Sequence, residues 1–228
     1  MRQEPTFALE MRGVSKRFPG TLAVNQVDFS VMPGEVHALV GENGAGKSTL
    51  MKMIAGSFND YTGEIYVSGK KVNLFSPRIA KEAGIGMIYQ ELSLARPISI
   101  YENLLVGRLP VRKGLPLVDK NKAIETAREL LGRVGLSHID PEIPISEISQ
   151  CEAQLVEIAK VLGNNPNIIV MDEPTSALSS EEVGRLFEII AQLKKEGMAI
   201  IYISHHLAEI FTVADRVTVM RDGQKIAT

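Results

Sequence analysis

Cysteine is nearly missing from this 228-residue chain, with Cys151 its single example. One thiol excludes an intrachain disulfide framework and fits a reducing compartment. The chain also lacks a charge excess of either sign, 25 Lys and Arg standing against 27 Asp and Glu. It therefore exerts no general pull on nucleic acid or on an anionic membrane surface. No apolar run reaches the roughly 18 residues of a spanning helix, and the start Met1-Arg2-Gln3-Glu4-Pro5 lacks the charged-then-apolar pattern of a signal peptide. Internal repeats and low-complexity tracts are missing too. These absences predict a cytoplasmic location, no nucleic acid partner, and a membrane role only through other subunits.

What is present is a 45% hydrophobic chain, long enough to bury a sizeable core. Alternating apolar residues at 7–14 and 24–31 flank Phe18-Pro19-Gly20 and predict antiparallel strands. Val36 to Val40 reads as a short strand that runs into a glycine-rich loop, and Lys47 to Ala55 as the helix that follows. From about 91 to 153 the spacing turns helical, as in Asn121 to Val134 with Ala123, Ile124, Ala127, Leu130 and Leu131 on one face. Alternation then resumes with strands Ile168–Met171, Ala199–Ile203 and Val217–Met220, separated by helices Ser180–Glu196 and His206–Ala214. Crossovers of that length predict parallel strands. Ser179 and Glu182 are spaced as a capping box for the first of those helices, and Gly197 ends it.

Two constellations carry chemistry. Gly41-Glu42-Asn43-Gly44-Ala45-Gly46-Lys47-Ser48 fits a phosphate-binding loop and lies between the strand and helix that the motif requires. Its glycines let backbone N–H groups face phosphate oxygens while the helix N-terminus aims its positive end at the same anion. Lys47 would neutralise the β- and γ-phosphates, Ser48 would offer a hydroxyl to Mg²⁺, and Thr49 a further phosphate contact. The second is Asp172-Glu173, adjacent carboxylates at the end of an apolar strand, where ligands gather in parallel sheets. Asp172 would serve the Mg²⁺ site, and Glu173 would orient or deprotonate an attacking water. The histidines at 37, 138, 205 and 206 are read as structural by default, except His205, which follows Ser204 at a strand end.

Phe18, the loop at 41–48, Tyr89-Gln90, Asp172-Glu173, Ser176-Ala177-Leu178 and Ser204-His205 occur in an order that resembles the ATPase domains of ABC transporters. The resemblance covers nearly the whole chain. It implies an α/β fold, a P-loop NTPase with a RecA-like parallel core, an N-terminal antiparallel β subdomain and a helical insertion, all within one domain over 1–228. It further implies that Phe18 stacks on adenine, that Gln90 links Mg²⁺ and the attacking water to the membrane subunit, and that His205 contacts the γ-phosphate. ATP and Mg²⁺ are the implied ligands. Ile88-Tyr89-Gln90-Glu91-Leu92, Val156-Glu157-Ile158-Ala159-Lys160 and Ala214-Asp215-Arg216-Val217-Thr218-Val219 are similar to the simple-sugar importer subgroup. Members of that subgroup carry two such domains in tandem, so the chain is expected to be the first half.

One stretch departs from the family pattern. Where the signature is usually Leu-Ser-any-Gly-Gln, this chain has Ile148-Ser149-Gln150-Cys151-Glu152. Cys151 adds a side chain where backbone would approach a phosphate, and Glu152 adds negative charge near an anionic ligand. Loss of one charge-assisted hydrogen bond there would cost about 1.5 to 3 kcal/mol. Redox control by Cys151 is not expected.

The implied activity is ATP hydrolysis that drives sugar import, at the cytoplasmic face of the membrane. The implied partners are integral membrane permease subunits, a second ATPase domain and, indirectly, a periplasmic or extracellular sugar-binding protein. Two rival readings are an ATP-binding regulatory half with weak hydrolysis and a soluble ABC-type ATPase outside transport.

Overall fold

The computed structural model describes residues 6–112 and 117–228. In chain order the first elements are β1 (Leu9–Phe18), β2 (Thr21–Val31), β3 (Val36–Val40), α1 (Lys47–Ile54), β4 (Thr62–Val67), β5 (Lys70–Lys71), α2 (Pro77–Glu82) and β6 (Ile85–Ile88). Helices α3 (Ile100–Leu104), α4 (Lys120–Arg133) and α5 (Gln150–Leu162) follow, with a 3-10 turn at Ile145–Glu147 before α5. The chain closes with β7 (Ile168–Asp172), α6 (Ser180–Lys195), β8 (Ala199–Ile203), α7 (Leu207–Val213), β9 (Arg216–Arg221) and β10 (Gln224–Ala227). It divides into two compact units. One comprises residues up to Met87, Pro166–Pro174 and Ile190–Thr228; the other comprises Ile88–Asn165 and Thr175–Ile189.

The first unit holds both sheets. A four-stranded sheet runs in the order β2-β1-β4-β5, and a six-stranded one in the order β10-β9-β3-β8-β7-β6. β1 pairs antiparallel with β2 and with β4, and its alternating burial matches a sheet with one face in the core. β3, β7, β8 and β9 pair in parallel, with Ala38 opposite Tyr202 and Met171 opposite Tyr202 across the ladder. Every residue of β8 is buried, as are the first four of β7 and of β3. That explains why these strands read as continuous apolar runs: a strand buried on both faces has no polar side to alternate with. Leu9, Met11, Val31, Leu50, Ile54 and Ile168 belong to one buried cluster, so the two sheets and α1 share a core.

Capping organises the second unit. Ser99 and Glu102 form a reciprocal box at the start of α3, and Ser149 and Glu152 form another at α5. Asp119 caps α4, whose buried residues are Ala123, Ile124, Ala127, Leu130 and Leu131, the face expected from the periodicity. Buried Asn103 accepts from the Ala95 N–H at 2.7 Å and donates to the carbonyls of Ala95 and Ser99, each at 3.0 Å. It pins the loop that leads into α3.

Candidate functional site

The glycine-rich loop leaves β3 and enters α1 at Gly46, which has φ +99° and gives the helix no side-chain cap. The first N–H groups of α1 are therefore not spent on a capping side chain. A Cβ on Gly46 would stand 2.5 Å from the Ala23 carbonyl oxygen and 3.3 Å from the Gly223 Cα, so backbone packs where a side chain would sit. Gly44 is also left-handed, at φ +86°. Lys47 folds back over the loop and donates to the carbonyls of Gly41 at 2.7 Å and Glu42 at 3.0 Å. Together these features form a cradle of N–H groups with an ammonium at its side.

A cleft of about 610 Å³ opens over this loop, lined by Asn43 through Thr49 and by Phe18. Gly41 is not part of its lining and takes part through the carbonyl that holds Lys47. Sequence reasoning missed the remaining walls, which are Thr21, Leu22 and Ala23 at the start of β2 and Asp222-Gly223 from the β9–β10 turn. The Asp-Gly pair is itself a hairpin signal, and both residues are left-handed, at φ 50° and 76°. The Gly223 N–H donates to the Ala45 carbonyl at 3.1 Å, which fastens this turn to the phosphate loop.

Asp172 ends β7, and Glu173 follows it in the left-handed region at φ 46°. A non-glycine residue held there stores local strain, a pattern that clusters at active sites. The Glu173 N–H still donates to the Ile203 carbonyl at 3.0 Å, so the strain is imposed by the β7–β8 ladder. Burial raises the Asp172 pKa, and the adjacent charge of Glu173 adds to the effect, while Lys47 and Lys52 oppose both. Lys47 thus acts electrostatically on Asp172, which links the carboxylates to the phosphate loop. His205 lies just beyond β8 with Nδ1 3.1 Å from Glu173 Oε1, and its ring centroid is 4.0 Å from that of His206 with the planes tilted by 41°. His206 is the cap of α7 rather than its first helical residue.

Gln90 and the departed signature belong to the second unit. Gln90 and Ser149 line a separate cleft of about 360 Å³, with Arg96 and Ile148 among its other walls. Ser149 is the N-cap of α5, and its N–H donates to Glu152 Oε2 at 2.8 Å. That backbone bond is the chief reason the Glu152 pKa is lowered, and His138 contributes as well, with Nε2 3.6 Å from Oε1. Cys151 is buried, and burial first, then the Glu182 carboxylate, push its thiol pKa up. A thiol held in its protonated form is a poor nucleophile.

A parallel core with an inserted phosphate cradle, and paired carboxylates at the end of another strand of the same sheet, define a P-loop nucleotide-binding protein of α/β fold. Comparison with known proteins sharpens the class. The ABC transporter family model matches residues 24–176. A ribose import ATP-binding protein of Rubrobacter xylanophilus is 50% identical over 220 residues, 96% of this chain and 44% of the relative. A galactose/methyl galactoside import ATP-binding protein of Clostridium tetani is 50% identical over 99% of this chain and 45% of its own length. A nucleotide-free ATP-binding cassette from an ABC transporter superposes with a TM-score of 0.84 at 29% identity, covering 97% of this chain and 90% of that one. An ADP-bound cassette gives the same TM-score at 30% identity. The chain belongs to the ABC transporter family, as an ATP-binding cassette, and spans less than half the length of these curated relatives.

Proposed function

We propose that this chain binds MgATP in the cleft over Gly44 to Thr49 and hydrolyses it to energise import of a simple sugar. The observation that carries the reading is the Glu173–His205 contact at 3.1 Å beside Asp172, at the ends of β7 and β8 in the sheet that also carries the phosphate loop. Glu173 is the general base for the attacking water, and His205 holds it and meets the γ-phosphate. Phosphoryl transfer asks a protein mainly for positioning and electrostatic stabilisation, which a rigid strand end supplies. Lys47 and the N–H groups of Asn43 to Thr49 take the phosphates, and Phe18 takes the adenine.

Mg²⁺ fits the donors available. The Ser48 hydroxyl and Asp172 carboxylate are hard oxygens, and this ion keeps most of its shell as water and phosphate oxygen, needing few protein ligands. When bound there, Mg²⁺ would supply charge neutralisation at the β- and γ-phosphates. Gln90 would add a third donor and carry the state of the site toward integral membrane permease subunits. Ser149, Cys151 and Glu152 would face the nucleotide of a second ATPase domain. A periplasmic or extracellular sugar-binding protein would act indirectly. The working place of the domain is then the cytoplasmic face of the membrane, on permease subunits. No helix among the described residues is long and apolar enough to cross a membrane. The sugar assignment is supported by the relatives, which are ribose import and galactose/methyl galactoside import ATP-binding proteins.

Glu173→Gln tests the assignment of the base. Turnover should fall about 10²- to 10⁴-fold with ATP affinity retained; unchanged turnover would remove Glu173 from that role. A regulatory half with weak hydrolysis is the second reading, favoured by the buried side chain of Cys151 at the usual glycine position. The double variant Cys151→Gly, Glu152→Gln should then gain ATP-driven dimerisation and turnover, and no gain counts against it.

A further inference from the structure

We infer that Lys16 is a positioning residue for the nucleotide base, acting through Phe18; this rests on the reading of Phe18 as the adenine platform. Lysine is almost never fully buried without a partner, yet Lys16 is 3% exposed. It stands two residues before Phe18 on β1, and its ammonium lies 4.8 Å from the ring centroid of Phe18 and 4.8 Å from that of Phe58. The two rings meet edge to face at 5.5 Å and 74°. The same ammonium is ion-paired with the Asp60 carboxylate and donates to the Asp60 carbonyl at 3.3 Å. One desolvated cation therefore joins two aromatic rings to the loop that follows α1.

Cation–π attraction is strongest where water is excluded, and it is directional enough to hold a ring in one orientation. A ring already held loses less freedom when a base stacks on it, so its alignment adds to affinity without any new contact to the ligand. A spacer role in the core would need only the length of the side chain, and methionine supplies that length without the charge. The two roles therefore part at Lys16→Met.

The experiment is calorimetric titration of the whole chain with MgATP and, separately, with magnesium tripolyphosphate, which has no base. Lys16→Met should weaken MgATP about three- to thirtyfold, the range of a partly to fully desolvated cation–π contact, and leave tripolyphosphate unchanged. Lys16→Arg, which keeps the cation, should restore most of the loss. Asp60→Asn, at a side chain that is 69% exposed and so tolerant of change, should weaken MgATP in the same direction and serves if Lys16→Met does not fold. Equal weakening of both ligands, or no weakening in Lys16→Met and Asp60→Asn while Phe18→Ala loses MgATP, overturns the role of Lys16. MgATP affinity untouched by Phe18→Ala overturns instead the base-stacking reading beneath it.

Discussion

Single residues in this cassette show how much function is held by backbone shape and charge rather than by side-chain identity. Gly46 combines a left-handed φ of +99° with backbone closer than any Cβ tolerates. Gly46→Ala should cost at least about 1–2 kcal/mol from the backbone conformation alone, seen as a lower urea midpoint, and should abolish ATP binding in a titration. Asp172 shows the opposite balance. Burial, then the neighbouring Glu173, raise its pKa, so its ionised form is the unfavourable one in the fold. Stability linked to it is present at low pH and is lost as pH rises through the raised pKa. Asp172→Asn should therefore be more stable than the parent at pH 7, converge with it at low pH, and lose at least about tenfold in Mg²⁺-dependent nucleotide affinity. Urea midpoints at the two pH values and ATP titration with and without Mg²⁺ check both halves. A less stable Asp172→Asn at pH 7 would mean that the opposing charges of Lys47 and Lys52 outweigh its burial.

Elements differ in how plainly their sequences announce them. α4 was readable because its apolar face repeats at helical spacing, and β3, β7 and β8 because a strand covered on both faces is uniformly apolar. β10 went unread because its residues Gln224–Ala227 are all exposed, so no burial pattern marks them, and pairing with β9 alone defines the strand. β5 is two exposed lysines held by pairing with β4, and β6 carries Gly86 in a four-residue strand, so neither has a period long enough to register. The candidate site followed the same rule. Gly41 to Thr49 and Asp172-Glu173 are contiguous motifs, whereas Leu22, Ala23 and Gly223 reach the cleft only through the folding of two hairpins. The α5 terminus adds a case where local chemistry explains an unusual residue. Glu152 completes the capping box with Ser149, a task that glutamate and glutamine share. Ser149→Ala should destabilise the chain by about 1 kcal/mol, while Glu152→Gln should change the urea midpoint by less. If Glu152→Gln costs as much as Ser149→Ala, the charge rather than the box holds that turn.

At the scale of the whole molecule, stability against acid should follow carboxylates of the sheet-bearing unit that tie one element to another, buried Glu35 and exposed Asp215. Burial raises the Glu35 pKa, but His37, the Met32 N–H at 2.6 Å and Arg216 at 3.1 Å outweigh it, and the net shift is downward. Asp215 behaves alike: burial pushes up, while Lys194 at 2.5 Å and the Val36 N–H at 2.9 Å pull it below its ordinary value. These bonds tie the start of β3 to β9 and to the end of α6, so they belong to the assembly of the unit rather than to one turn. A carboxylate with a lowered folded pKa contributes stability above its unfolded value, and that contribution is lost as pH falls through the folded pKa. Asp172 works in the reverse sense, but it is a single group. The urea midpoint should therefore hold from neutrality down to about pH 5 and fall below the ordinary carboxylate values of 4.5 and 3.8. Glu35→Gln should be less stable at pH 7, by about 1.5 to 3 kcal/mol for a charged hydrogen bond lost in a buried setting, and should decline less steeply on acidification. Midpoints measured from pH 7 to pH 3 for both proteins decide it: parallel slopes would show that the acid response arises elsewhere than at Glu35.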